Sequence, residues 1–117
     1  MSLKPEYKEA ILRALDHFTL DIQIKGDYYL DKKLEVARNA ISEIKSDTKI
    51  DMDWLYSHNR ILLEAIPPYR SFLKRRVVEA IPGDEDVELW KKENLLLVRI
   101  ESKLNEFVES VMNSNHV

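Results

Sequence analysis

The sequence of 117 residues predicts an all-α fold: a five-helix bundle with a long C-terminal helix, completed by dimerisation. Three observations carry that expectation. Apolar residues recur at steps of three and four along most of the chain, the spacing that lines one face of a helix. Only two glycines and four prolines interrupt the pattern. A charged fraction of 33% beside a hydrophobic fraction of 44% suits helices with apolar faces and charged backs. The length fits one domain, 1–117, able to bury roughly two thirds of its unfolded surface with no disulfide or metal to hold it.

A first helix opens at Pro5, with Glu6 and Glu9 near its positive end, and its stripe runs Tyr7, Ile11, Ala14, Leu15, Phe18 and Ile22. Leu20, Ile22 and Ile24 also alternate with Asp21, Gln23 and Lys25, which reads as a strand ending at Gly26 and Asp27. An isolated hairpin is marginal in water, so helix is the expectation and hairpin its alternative. Asp27 is the expected cap of a second helix with Leu30, Leu34, Ala37, Ile41 and Ile44 in phase, stopping at Ser46, Asp47 and Thr48.

A third helix starts near Asp51 and carries Leu55, His58, Leu62, Ala65 and Ile66 on one face. Pro67 and Pro68 are expected to end it, because proline lacks the donor N–H and disfavours a helical residue before it. The tetrapeptide Glu-Ala-Ile-Pro occurs at 64–67 and again at 79–82. Each copy reads as a helix stop, which leaves a short fourth helix over 69–81; the spacing is below the usual repeat periods. After the turn at Pro82, Gly83 and Asp84, the acids Asp84, Glu85, Asp86 and Glu88 suit the start of a fifth helix that meets no glycine or proline before Asn113. About 29 residues at 1.5 Å make a rod of about 44 Å, long for a domain with a radius of gyration of about 13 Å. Leu95, Leu97, Val98, Leu104 and Phe107 are the expected dimer interface, since the middle of this helix is apolar nearly all round and must be surrounded.

Cysteine is absent, which excludes thiol catalysis, zinc fingers and haem attachment. Glycine-rich phosphate loops have no raw material. The N-terminal residues hold no apolar run long enough for a signal peptide or membrane span, so a cytoplasmic protein without a membrane partner is expected. No cofactor is expected either.

Charge is uneven along the chain. Residues 67–82 hold Arg70, Lys74, Arg75 and Arg76 against Glu79, whereas residues 83–117 hold eight acids against Lys91, Lys92, Arg99 and Lys103. Arg70, Lys74 and Arg75 are therefore candidates for binding nucleic acid or a phosphorylated ligand. The plainer reading is a solvated face paired with nearby acids, and it is preferred because duplex readers carry a broader basic footprint.

His58, Arg76 and Asn94 fall on or beside apolar stripes, where buried polar groups must be paired. They either converge on an interhelical pocket for a small anion or satisfy their neighbours, with His58 expected as a neutral ring in an apolar setting. His17 and Asp21 are one turn apart without a third ligand, so no metal site is expected. The pairs Glu85/Glu88 and Glu106/Glu109 would lie about 31 Å apart on one helix, too far to share an ion. A hydrolase or nuclease built on His58 and Arg76 lacks the rest of a catalytic set. The expected function is a non-enzymatic interaction or regulatory module, homodimeric, with an unidentified protein partner.

Overall fold

The alternating stretch at Leu20 resolves as helix. In the computed structural model, which describes residues 3–25, 31–46 and 49–114, α1 spans Pro5–Lys25. It buries Ala10, Ile11, Ala14, Leu15 and Ile22 while Leu20 stays exposed. α2 (Asp31–Lys45) buries Ala37 and Ala40; the expected cap Asp27 and the first stripe residue Leu30 lie outside the described residues. α3 is one and a half turns, Met52–Ser57, α4 spans Asn59–Glu79 and α5 spans Asp86–Ser114. The described residues thus form an all-α five-helix bundle with a long C-terminal helix. α4 and α5 are the main antiparallel pair, and α1 packs against both α2 and α4.

The number of helices matches the expectation, but the third boundary does not. Pro67 and Pro68 end nothing: both lie inside α4, on its solvent side. Each ring removes a donor that would have reached the carbonyl four residues back, on Leu63 or Glu64, at a cost of about 3 kcal/mol in a helix interior. The opposite face outweighs this. Leu62, Ala65, Ile66, Tyr69 and Leu73 are buried on either side of the prolines, and a large apolar side chain contributes about 1.5–3 kcal/mol on burial.

The real break falls at His58, whose φ of −108° and ψ of 19° leave the helical region. Here side chains add to the backbone bonds at the joint, where the His58 N–H still reaches the Trp54 and Leu55 carbonyls at 3.1 and 3.2 Å. Ser57 Oγ donates to the Trp54 carbonyl at 2.9 Å, His58 Nδ1 lies 2.7 Å from that same oxygen, and Asn59 Nδ2 donates to the Tyr56 carbonyl at 2.7 Å. Back-bonding of this kind by Ser, His and Asn in succession weakens and bends a helix, and the bend falls here. At the other end of α3, the Trp54 N–H donates to Asp51 Oδ1 at 3.0 Å, an N-cap at the residue expected to start the helix.

The second Glu-Ala-Ile-Pro does act as a stop. α4 ends at Glu79, Ala80 is extended with ψ of 144°, and the chain reverses through Gly83 at a φ of +92°, a conformation only glycine adopts freely. α5 then runs back along α4 and α1. Its Leu97 and Leu104 are fully buried in the core formed with Ile11, Leu15, Leu62 and Leu73. Of the expected dimer seam, these two are therefore already spent inside their own chain, because they lie in phase with the stripe facing α1 and α4. Phe107 is half-buried and stacked on Tyr56 at 4.5 Å. Leu95, at 49% exposure, and the half-buried Val98 face outward. The radius of gyration is 15.3 Å, above the compact value of about 13 Å. The excess reflects an elongated shape, and the last turns of α5 carry Val111 and Met112 exposed.

Candidate functional site

The largest cleft described lies between α1, α4 and α5, with a volume of about 560 Å³. At its base sits Glu93, the buried charged residue of the described core, on the same stripe of α5 as Leu97 and Ile100. Both carboxylate oxygens are engaged. Arg13 Nε donates to Oε1, and the Tyr69 hydroxyl donates to Oε2 at 2.7 Å. Burial, then the hydrogen bond to Glu93 and its negative charge, push the Tyr69 phenol above its ordinary value, so it remains a donor through neutral pH. Desolvation works against the Arg13 charge, but the hydrogen bond and charge of Glu93 outweigh it and raise its pKa. Three helices are thereby tied to one carboxylate, from Arg13 on α1, Tyr69 on α4 and Glu93 on α5.

The cleft wall is aromatic. The guanidinium carbon of Arg76 lies 5.0 Å from the centre of the Phe72 ring and 5.5 Å from that of Trp90. His17, outside the lining itself, packs its ring on Tyr69 and Phe72 at 5.5 and 5.1 Å, and its buried Nδ1 lacks a hydrogen-bond partner among the described residues. Such a wall can hold a flat or cationic group by stacking. Each oxygen of Glu93 accepts one hydrogen bond, Oε1 from Arg13 and Oε2 from Tyr69.

No family model, curated protein or solved structure matches this chain.

The clefts described bring no two of His58, Arg76 and Asn94 together, and of the two alternatives expected for them His58 and Asn94 follow the second, satisfying neighbouring groups instead. His58 sits at the α3–α4 joint, its Nε2 3.1 Å from Glu43 Oε2 and its ring stacked on Trp54 at 4.0 Å. Two oxygen acceptors face its two nitrogens, so the apolar setting expected for it is not what surrounds it. Arg76 is exposed and makes no ion pair among the described residues; the expectation that it points inward fails because α4 nears its end there and the stripe turns away to Leu73 and Val77. Asn94 is half-buried on α5, where its Oδ1 accepts from Arg70 Nε at 3.0 Å.

Arg70 also donates to Glu101 at 2.7 Å, with both side chains about four-fifths buried. It is therefore a structural pin between α4 and α5, set apart from Lys74 and Arg75, which are exposed. Among the described residues no three His, Cys, Asp or Glu side chains are grouped to hold a metal. Glu85, Glu88, Glu106 and Glu109 are all exposed.

Sequence reasoning missed Glu93, Arg13 and Tyr69. The test that singled out Arg76 applies equally to Glu93, which precedes Leu97 by four and Leu96 by three and so lies on the inward stripe. A charged residue in that phase was the available signal.

A second concavity lies on the outer side of α4 and α5. It has a volume of about 320 Å³ and is lined by Leu73, Val77, Val78 and Trp90, with Lys74 and Lys91 at its edge. Val78 is 83% exposed beside it.

Proposed function

We propose that this chain is a non-enzymatic interaction module that works as a homodimer through the outer face of α4 and α5. The observation that carries the reading is the apolar surface left there after the core is complete. Val78 and Leu95 there, and Met112 further along α5, are all more than two-fifths exposed. Large apolar residues left in water beside an apolar concavity mark an interaction surface. The buried carboxylate ties three helices together through Arg13 and Tyr69, which fits a scaffolding role. Among the described residues no helix is long and apolar enough to cross a membrane.

Light scattering on the wild type and the Leu95→Glu variant tests the reading. The wild type is expected to be a dimer at tens of micromolar, the range of a modest interface. Leu95→Glu is expected to be a folded monomer, because its side chain is half in water and no core contact is lost. A wild-type monomer across that range would end the dimer reading. Leu97→Glu is a poor test, since a charge at this fully buried position unfolds the chain.

A second reading has one observation in its favour: Lys74 and Arg75 are exposed and make no ion pair among the described residues. Binding of phosphate-bearing polymers through them would weaken steeply with salt.

A further inference from the structure

The outer face of α5 carries a second heptad-like stripe, out of phase with the one that fills the core. Lys91, Leu95, Val98, Ser102, Asn105, Glu109 and Met112 follow one another at steps of four and three. Val98 is half-buried and the rest are exposed. The stripe's apolar members, Leu95, Val98 and Met112, are the kind of residue a partner helix packs on. It has a charge at each end, Lys91 and Glu109, and small polar residues at its centre.

Those features decide the occupant. A parallel second copy would set Lys91 on Lys91 and Glu109 on Glu109. An antiparallel copy crossing near Ile100 sets Lys91 against the partner's Glu109 at both ends, Val98 against Ser102, and Leu95 against Asn105. Sliding the copies one heptad so that Leu95 meets Val98 would bring Glu109 to Asp84 and Asp86, which repel it. Neither charge has a strong claim at home. Among the described residues Lys91 is ion-paired only with the exposed Glu88, 3.6 Å away, and Glu109 makes no ion pair.

The same crossing gives the overhanging end of α5 a seat. The stripe is flanked on one side by α4, and the outer groove of Val77, Val78 and Trp90 opens on that side beside Lys91. Met112 of one copy, 58% exposed on the tip, reaches the level of Glu88 to Lys91 on the other. An apolar tip carrying acids thus faces an apolar groove edged by Lys74 and Lys91.

We infer that the partner on this face is a second copy in antiparallel register, each α5 tip lying in the other's α4–α5 groove. The inference rests on the dimer reading above and adds to it the partner face, the direction and the register. The pairing extends over Lys91 to Met112, about 33 Å of helix, and its modest area accords with micromolar affinity.

The absence of cysteine makes the register directly testable. In the double variant Lys91→Cys with Glu109→Cys, the two thiols of one chain lie about 27 Å apart along α5, beyond the reach of a disulfide. In a glutathione redox buffer the double variant is expected to give a closed covalent dimer, and Lys91→Cys alone is expected to give none. In the otherwise native chain, Glu109→Lys is expected to weaken the dimer about tenfold, two exposed ion pairs being replaced by two repulsions. Adding Lys91→Glu is expected to restore it. A wild-type dimer whose double-cysteine variant does not cross-link, or whose Lys91→Cys variant alone does, overturns this register and leaves the dimer standing. A wild-type monomer overturns both.

Discussion

Removing Arg13 from the base of the cleft leaves the Glu93 carboxylate, 8% exposed, with Tyr69 as its one remaining hydrogen-bond donor. Breaking a fully buried ion pair by deleting one partner costs about 3–5 kcal/mol, because a charge is left uncompensated. The Arg13 side chain is 52% exposed against 10% for Glu93, so water screens half of the pair and the cost falls to about 1.5–3 kcal/mol. Urea unfolding followed by circular dichroism reads this directly. At a slope of about 1–2 kcal/mol per molar, Arg13→Ala is expected to lower the midpoint by about 1–2 M. The paired replacement Arg13→Met with Glu93→Leu removes the charge together with its partner and is expected to fall within about 1 kcal/mol of wild type or above it. The two results together separate an uncompensated charge from lost packing. A cost below about 0.5 kcal/mol for Arg13→Ala would refute the claim that Glu93 depends on it.

Two other consequences are open to measurement. If α4 is continuous, Pro67→Ala and Pro68→Ala each restore a backbone donor inside a helix and are expected to stabilise the protein by up to about 3 kcal/mol; a loss of stability from either change would mean that the prolines serve a turn. Tyr69 is held protonated by burial and by Glu93, so its contribution is whole below the unfolded tyrosine pKa of about 10 and is lost as pH rises past it towards the higher folded value. Unfolding free energies compared over about pH 9 to 11.5 are expected to fall less steeply in Tyr69→Phe than in wild type, and equal slopes would contradict the shift.

Periodicity made most of the core legible. Ile11 and Leu15, Leu62 and Ile66, and Leu97 and Leu104 were in phase in the sequence and are buried in the fold, because a three-four stripe has one face and one place to put it. Local chemistry was harder to weigh. Proline opposes helix by a fixed few kcal/mol wherever it stands, whereas the packing that overrides it depends on partners far away in the chain. At the true break the departure is one residue, His58, flanked by Ser57 and Asn59, and none of the three announces a helix end alone. The site was hidden for a related reason. Glu93 sits where Leu97 predicts an apolar residue, yet its partners Arg13 and Tyr69 are separated from it by 80 and 24 residues, and only the fold brings them within bonding distance. Exposure was the least legible property, since Leu95 and Leu97 look alike in the sequence and end on opposite sides of α5.

The ends of α5 differ in one further respect. Aligned peptide dipoles leave a helix positive at its start and negative at its finish. Asp86 and Glu88 complement the first turn, and the last turn contains no basic residue. Glu109 adds negative charge one turn before an end that is already negative, where the dipole has weakened, and Glu106 a turn further back lies 3.9 Å from Lys103. In an isolated chain the tip, with Val111 and Met112 exposed and no basic residue in its last turn, is the first part of α5 to fray. A lysine brought up by another molecule steadies it at a single point, so that binding and the completion of the last helical turns become one event.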